Sequence, residues 1–323
     1  MPIQAIRLHE AGSPEKLRLE EIDQPRPRQN EALVHLRAAA LNHRDLFITQ
    51  GLYANMRLPC TLGADGTGLC DDREVVIDPT IGWGADERVW SEEATILGMP
   101  CDGTFAQSIV VPAQNVHPKP EHLSFEEAAA LPLAGVTAYR ALFSRGRLQS
   151  GETILITGIG GGVQTCALLF AHAAGAQIAV TSSSEEKLER ARSLGANAGV
   201  SYKDADWHRK LRKECGAFDI VLDSAGGDSF AKGLTLLRRG GRAVTYGGTA
   251  GDATLRVYPI FWNQLNVLGT SMGSPKDFAA MLDFVSRHGI VPIVDRVYDM
   301  AEIGEAMQRM SEAEQFGKIV VRI

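Results

Sequence analysis

The sequence predicts an α/β protein, a doubly wound parallel sheet set within a mostly β region. Three observations lead there. From about Ser124 onward, runs of strand composition alternate with helical stretches, the rhythm of a parallel sheet covered on both faces. A glycine-rich turn, "TGIGGGVQ", joins one of those apolar runs to the helix after it. Before Ser124 the chain reads as short strands broken by turn residues, and one further apolar run closes it.

Taken in order, "IQAIRLHE", "KLRLEEI" and "ALVHLRAAAL" have strand composition, and "AGSPE" and "QPRPRQN" interrupt them. Ser124 followed by Glu127 is a capping box that opens one helix through an alanine-rich stretch. Strands are predicted at Thr153–Thr157, Gln177–Thr181, Ala198–Ser201, Asp219–Asp223, Arg242–Tyr246 and Val267–Gly269. Helices fill the gaps at Gly162–Ala174, Glu185–Leu194, Asp206–Glu214 and Ser229–Arg238, and another follows at Pro275–His288. The tail supplies strand, helix and a last short strand able to pair with the N-terminal region. The expected domains are 126–288 for the parallel sheet and 1–125 with 289–323 for the β region.

At 323 residues the chain suits two ordinary domains. A net charge of −6 without a basic cluster argues against a nucleic-acid partner. No apolar run is long enough to span a bilayer, and "MPIQAIRLHEAG" lacks the apolar core of a signal peptide. A cytoplasmic protein is expected. Its cysteines, Cys60, Cys70, Cys101, Cys166 and Cys215, form no CxxC pair and read as free thiols.

The glycine turn carries the first chemistry. A phosphate needs backbone N–H groups it can approach closely, and a helix N-terminus adds a favourable dipole. Gly160, Gly161, Gly162 and Val163 are the residues placed to offer them. Gly158 and Gly160 fit the first two positions of GxGxxG, and the third falls on Val163. A glycine turn in an α/β protein that binds nothing is the plainer alternative. The TGxxxGxG of short-chain dehydrogenases fails at Gln164, and no later tyrosine has a lysine four residues on.

With these motifs in order, the chain resembles the medium-chain dehydrogenase/reductase superfamily over nearly its whole length. "LNHRDLFITQGLY", "LGADGTG", "DGTFAQSIVVPAQNVHPKP", "LSFEEAAALPLAGVTAYRAL", "GIGGGVQ" and "TSMGS" resemble its zinc-free, quinone oxidoreductase-like branch. The resemblance implies a Rossmann dinucleotide-binding domain, a GroES-like catalytic domain and a homodimer. It also implies NADPH-dependent reduction of quinones, enones or related carbonyls. Zinc-dependent relatives place a cysteine near Asn42 and a His–Glu pair where this chain has Ala64–Asp65, so no metal is expected. His43, Asp65 and Cys101 have no spacing that makes them a ligand set.

A carboxylate after the second strand of such a fold holds a free ribose 2′-hydroxyl and repels a 2′-phosphate. Here Ser182 and Ser183 stand in that place, Lys187 lies in the first turn of the next helix, and Tyr202 follows the third strand. That set points to NADPH, and zinc-free relatives similarly use a serine, this lysine and this tyrosine. Ser183 with Glu186 also reads as a capping box, which would explain that serine without a ligand. Asn42 and Tyr53 are candidate donors to a substrate oxygen, and Thr137 matches a threonine that faces the nicotinamide in relatives. Asn42 as a turn cap, Tyr53 as a loop cover and Thr137 as a satisfied helix residue are the plainer readings, with His43 and Asp45 as a structural ion pair. Ser224, Gly247 and Gly248 follow later strands, where ligands of a parallel sheet bind, and Met272 is placed near the ring.

One departure stands out. Relatives run from "DGTG" through a strand, a glycine turn and another strand, whereas this chain goes directly to "LCDDREVVIDP". The stretch "PTIGWGADERVWSEEATILGMPCDGT" is a candidate to cover the gap. Two other functions stay open beside the reductase: a zinc-free alcohol or aldehyde dehydrogenase, and a cofactor-binding sensor or scaffold with little catalysis.

Overall fold

A computed structural model describes residues 2–323. The chain divides into two units, Met1–Val136 with Gly273–Ile323, and Thr137–Met272. The helices around Glu127 and Phe278 thus group with the β unit, outside the boundaries expected at 126 and 288.

In the first unit the long strand Glu31–Ala40 is the organising element. It lies in a seven-stranded sheet whose spatial order is Val116–Pro118, Arg73–Ile77, Asp65–Cys70, Glu31–Ala40, Lys318–Arg322, Val294–Asp299, with Ser108–Pro112 also paired to Glu31–Ala40. Its alternation puts Val34, Leu36 and Ala38 inside, as a half-buried strand requires. The last strand pairs antiparallel with it, Val320 opposite Ala40, and parallel with Val294–Asp299. The expected pairing of the tail with the N-terminal region is therefore central to the sheet. Ile6, Leu8, Leu41, Ile48, Leu62, Phe105, Met307 and Ile319 belong to the buried cluster beneath, each worth about 1.5–3 kcal/mol of apolar burial.

The gap in the sequence closes as a tight hairpin. Strands Asp65–Cys70 and Arg73–Ile77 pair with Cys70 opposite Arg73, so only Asp71 and Asp72 turn the chain. Both have positive φ, 48° and 60°, as the two central residues of a type I′ turn do. The stretch after it builds a small separate sheet of Thr80–Ile81, Thr95–Leu97 and Pro100–Cys101.

The capping box at Ser124 forms as the sequence predicts, with Glu127 N–H donating to Ser124 Oγ at 3.1 Å and Ser124 N–H to Glu127 Oε2 at 2.8 Å. The single helix expected after it does not form. Phe125–Ala129 ends, and Pro132 starts a second helix, Pro132–Tyr139, that runs into a π-helical turn at Arg140–Arg145. Proline has no N–H to continue the first helix but suits the first turn of the second.

The second unit is a six-stranded parallel sheet in the order Ala198–Ser201, Gln177–Ser182, Thr153–Ile156, Phe218–Asp223, Leu237–Thr245, Asn266–Gly269. Helices Gly162–Ala173, Glu185–Ser193, Trp207–Cys215 and Gly227–Leu236 connect the first five. The strand order reverses direction between Thr153–Ile156 and Phe218–Asp223, the switch point where ligands of such sheets bind. A short helix not assigned from the sequence, Val257–Trp262, precedes the edge strand Asn266–Gly269.

Left-handed backbone costs a residue with a side chain about 1–2 kcal/mol, less for aspartate than for most. Asp72→Gly is therefore expected to raise the melting temperature by about 1–3 °C in a thermal melt; an unchanged or lower value contradicts the I′ assignment.

Candidate active site and cofactor-binding elements

In the second unit, the turn Gly158–Gly162 leaves the end of the strand Thr153–Ile156 and enters a helix of twelve residues. Two backbone donors tie it down: Gly158 N–H reaches Thr181 Oγ1 at 3.0 Å, and Ile159 N–H reaches the Thr181 carbonyl at 2.7 Å. Gly160 has φ of 136°. Gly161 is the N-cap residue, and no side chain caps the helix. The first N–H groups of a helix have no partner within it, so Gly161, Gly162 and Val163 present donors along a positive helix end. This cradle fits a pyrophosphate.

Gln164, in the first turn of this helix, reaches across the turn. Its Nε2 donates to Ser224 Oγ at 2.6 Å, linking the helix to the end of the strand Phe218–Asp223. Ser224 is thus engaged by a neighbour. Asp223 was not singled out by sequence. Its carboxylate is fully buried and accepts from Thr157 Oγ1 at 2.7 Å, Ala225 N–H at 3.0 Å and Gly226 N–H at 2.7 Å. That fixes the loop in which Ser224 sits. A Cβ on Gly247 would lie 2.5 Å from the Ser224 carbonyl, so only glycine allows this approach, while Gly248 faces open space.

At the ribose position the structure corrects the capping assignment. Ser184, not Ser183, caps the helix Glu185–Ser193, its Oγ accepting the Lys187 N–H at 3.3 Å. Ser182 is buried and its Oγ accepts the Ser184 N–H at 3.2 Å. Ser183 is left exposed, and its hydroxyl has no hydrogen bond among the described residues. Ser182 pairs with Ser201 across the two strands, and the Tyr202 N–H reaches the Ser182 carbonyl at 3.0 Å. Ser183, Lys187 and the exposed Tyr202 therefore gather at the same end of adjacent strands. Glu185, which would oppose a phosphate, is drawn to Arg192 at 3.1 Å. Thr137 and Met272 are both buried in this unit, and Met272 has the left-handed φ of 52°.

In the first unit Asn42 is the N-cap of the helix His43–Thr49, in a capping box with Asp45, and its amide also reaches outside that helix. Its Oδ1 accepts from Lys318 Nζ at 2.7 Å, and its Nδ2 donates to Asp65 Oδ2 at 2.9 Å. Lys318 Nζ also donates to Asp65 Oδ2 at 2.8 Å and to the Leu41 carbonyl at 2.6 Å. Asp65 Oδ1 accepts the Leu133 N–H at 2.7 Å, in the first turn of Pro132–Tyr139. Lys318 and Asp65 are both buried. Sequence reading missed Lys318, and its signal was a lysine inside the apolar strand "GKIVVRI".

Tyr53 is held by Arg44. The guanidinium lies 4.9 Å from the ring centroid, and Nη2 and Nε donate to the phenol oxygen at 3.3 Å and 3.4 Å. Arg44 is itself anchored on the Leu97 and Met99 carbonyls at 2.6 Å and 3.2 Å. The phenol oxygen accepts from Arg44, which leaves its own hydrogen to donate elsewhere.

His43 and Asp45 do not form the expected ion pair. Asp45 is fully buried; its Oδ2 accepts the Asn42 N–H at 2.8 Å, and its Oδ1 has no partner. Burial pushes its carboxyl up to about 6, against the pull of Arg44, the Asn42 N–H and Lys318. The His43 imidazole is held below its usual value by surrounding protein and then by the Lys318 charge.

A glycine turn at the switch point of a six-stranded parallel sheet is the arrangement of a dinucleotide-binding fold. Residues 28–121 match the alcohol dehydrogenase GroES-like domain and residues 162–287 the zinc-binding dehydrogenase model. The chain is 37% identical to the zinc-type alcohol dehydrogenase-like protein YogA of Leptosphaeria maculans, covering 95% of this chain and 94% of that protein. It is 27% identical to a quinone oxidoreductase of Mus musculus, over 94% and 92% of the two chains. A crystal structure of an NAD-dependent alcohol dehydrogenase superposes with a TM-score of 0.93 at 33% identity, covering 99% of each chain. The chain belongs to the medium-chain dehydrogenase/reductase superfamily, whose members are nicotinamide-dependent oxidoreductases.

The donor set does not fit the zinc that one family model names. A catalytic zinc takes about three protein ligands. No group of three or more His, Cys, Asp or Glu side chains converges among the described residues. The Asp65 oxygens are committed to Lys318, Asn42 and Leu133.

Asp45 gives a pH prediction. Its folded value lies above the ordinary 3.8, so the folded state binds the proton more tightly. The group favours folding at low pH and loses that contribution as pH rises through about 6. The melting temperature of Asp45→Asn minus that of the parent is expected to rise by about 2–6 °C between about pH 4 and about pH 8. A difference that stays flat across that range would show that Asp45 does not titrate this way.

Proposed function

We propose that the protein is an NADPH-dependent reductase of quinones, enones or related carbonyls that works without zinc. The observation that carries the cofactor choice is the end of the strand Gln177–Ser182. No carboxylate stands there, the Ser183 hydroxyl is unengaged among the described residues, and Lys187 and Tyr202 lie beside it. An ammonium and hydroxyls suit a 2′-phosphate, which a carboxylate would repel. The bound dinucleotide supplies the hydride. The protein's own part is to stabilise the negative charge that grows on the substrate oxygen. Asn42 has one Nδ2 hydrogen left after Asp65, and Tyr53 has its phenolic hydrogen left after Arg44. Asn42 is read as the hydrogen-bond donor to that oxygen and Tyr53 as the proton donor. The buried Thr137 and Met272 are read as contacts to the nicotinamide.

The likeness to a structure named as an NAD-dependent alcohol dehydrogenase favours a second reading, a zinc-free dehydrogenase of small alcohols or aldehydes. One screen separates the two. Purified protein is assayed with NADPH and NADH against a quinone, a 2-enone and an aldehyde, and with NADP⁺ and NAD⁺ against simple alcohols. The reductase reading expects kcat/KM for NADPH above that for NADH by about tenfold or more, an order of magnitude that loss of one charge-assisted contact explains. Ser183→Asp should reverse that preference. Preference for NADH by the parent, or oxidation of alcohols without reduction of enones, overturns it.

We further infer a homodimer. The strand Asn266–Gly269 is a sheet edge, and an unpaired edge invites another strand. Beside it Val257, Tyr258, Phe261 and Trp262 are all more than half exposed, an apolar patch that a second copy would bury. Free thiols and the modest charge fit the cytoplasm. Light scattering after size exclusion should give twice the chain mass, and Phe261→Asp with Trp262→Glu should give the monomer. A monomeric parent at micromolar concentration rules the dimer out.

A further inference from the structure

We propose that Lys318 is a positioning residue for Asn42: with Asp65, its ammonium fixes which face the Asn42 amide presents. The inference rests on the reading of Asn42 as the donor to the substrate oxygen. An asparagine amide has a donor end and an acceptor end of nearly equal shape, so packing alone does not decide its orientation. Here the neighbours decide it. An ammonium only donates and a carboxylate only accepts. Lys318 Nζ lies 2.7 Å from Asn42 Oδ1, and Asp65 Oδ2 lies 2.9 Å from Asn42 Nδ2. Turning the amide over would set N–H against ammonium and oxygen against carboxylate, two repulsive contacts in place of two bonds.

The ammonium has no freedom to follow such a turn. Its three hydrogens go to Leu41 O, Asn42 Oδ1 and Asp65 Oδ2. Its backbone is fixed where the last strand meets the end of Glu31–Ala40, with the Leu41 N–H on the Ile319 carbonyl at 2.9 Å. A cation on the amide oxygen also polarises the amide and strengthens its remaining N–H as a donor. The competing role is simpler: Lys318 merely neutralises the buried Asp65 charge.

Charge-neutral replacement separates the two. In Asp65→Asn with Lys318→Met, both charges leave together, and the Asn42 amide loses the pair that dictates its orientation. Lys318→Arg keeps the charge but changes the directions of the donors. Asn42→Ala is made alongside, and all are measured as the full chain with NADPH and the best substrate of the screen. Positioning predicts that the double variant and Lys318→Arg keep KM for NADPH within about twofold and lose kcat by about tenfold or more, as loss of a preorganised donor does. If either folds with parental kcat while Asn42→Ala has lost it, Lys318 only balances charge and the proposal fails. If Asn42→Ala keeps parental kcat, the role assigned to Asn42 fails, and there is no donor for Lys318 to position. A readout independent of turnover is the Asn42 side-chain NH₂ pair in ¹H–¹⁵N spectra. Its two protons should be widely separated and slow to exchange in the parent. In the double variant both shifts should move toward those of a solvent-exposed asparagine amide, and the protons should exchange faster with water; parental signals there contradict the proposal.

Discussion

A buried ammonium–carboxylate pair joins four distant stretches of the first unit. Lys318 comes from the last strand, Asp65 from the glycine-rich loop into the strand Asp65–Cys70, and Leu41–Asn42 from the end of Glu31–Ala40. Leu133 comes from the start of the helix Pro132–Tyr139. Burying two charges costs several kcal/mol per ion unless geometry and further hydrogen bonds offset it. Here they do: all three ammonium hydrogens and both carboxylate oxygens have partners. Removing one partner alone would leave a charge in a dry interior, so the unit depends on the pair being complete. Glycines allow close packing of the neighbouring backbone. A Cβ on Gly66 would lie 2.7 Å from the Thr104 methyl, and one on Gly98 would lie 2.8 Å from the Gly63 carbonyl.

The second unit holds one buried carboxylate by hydrogen bonds to neutral groups. Asp223 is buried, and its acceptors are filled by a hydroxyl and two backbone N–H groups. Thr181 holds the glycine turn from the neighbouring strand. The helix after the turn has no side-chain cap, and the Ser183 hydroxyl is exposed with no hydrogen bond among the described residues. Preorganised donors lose little when an anion arrives, because they need not move.

Much of this was readable in the sequence because it is local. The helix Pro275–His288 begins and ends where the capping box Ser274–Asp277 and Gly289 put its limits. The glycine turn and the serines after the second strand follow from spacing along one strand–helix unit. What escaped was one local choice between neighbours and several contacts between partners far apart in the chain. Ser183 and Ser184 are equivalent capping candidates by type, and backbone geometry alone chose Ser184. Tyr53 was read from resemblance, yet its restraint by Arg44 depends on the carbonyls of Leu97 and Met99.

By itself the sequence determined the strand–helix alternation, the phosphate turn and the absence of a carboxylate at the ribose position, since each depends on neighbours within about thirty residues, the span of one such unit. Only the tertiary structure decided that Lys318 meets Asp65 and Asn42. Those residues are separated by more than 250 positions, and their encounter depends on the last strand pairing beside Glu31–Ala40. A lysine in an apolar strand announces that some buried acceptor exists, but its identity belongs to the sheet order, which periodicity does not encode.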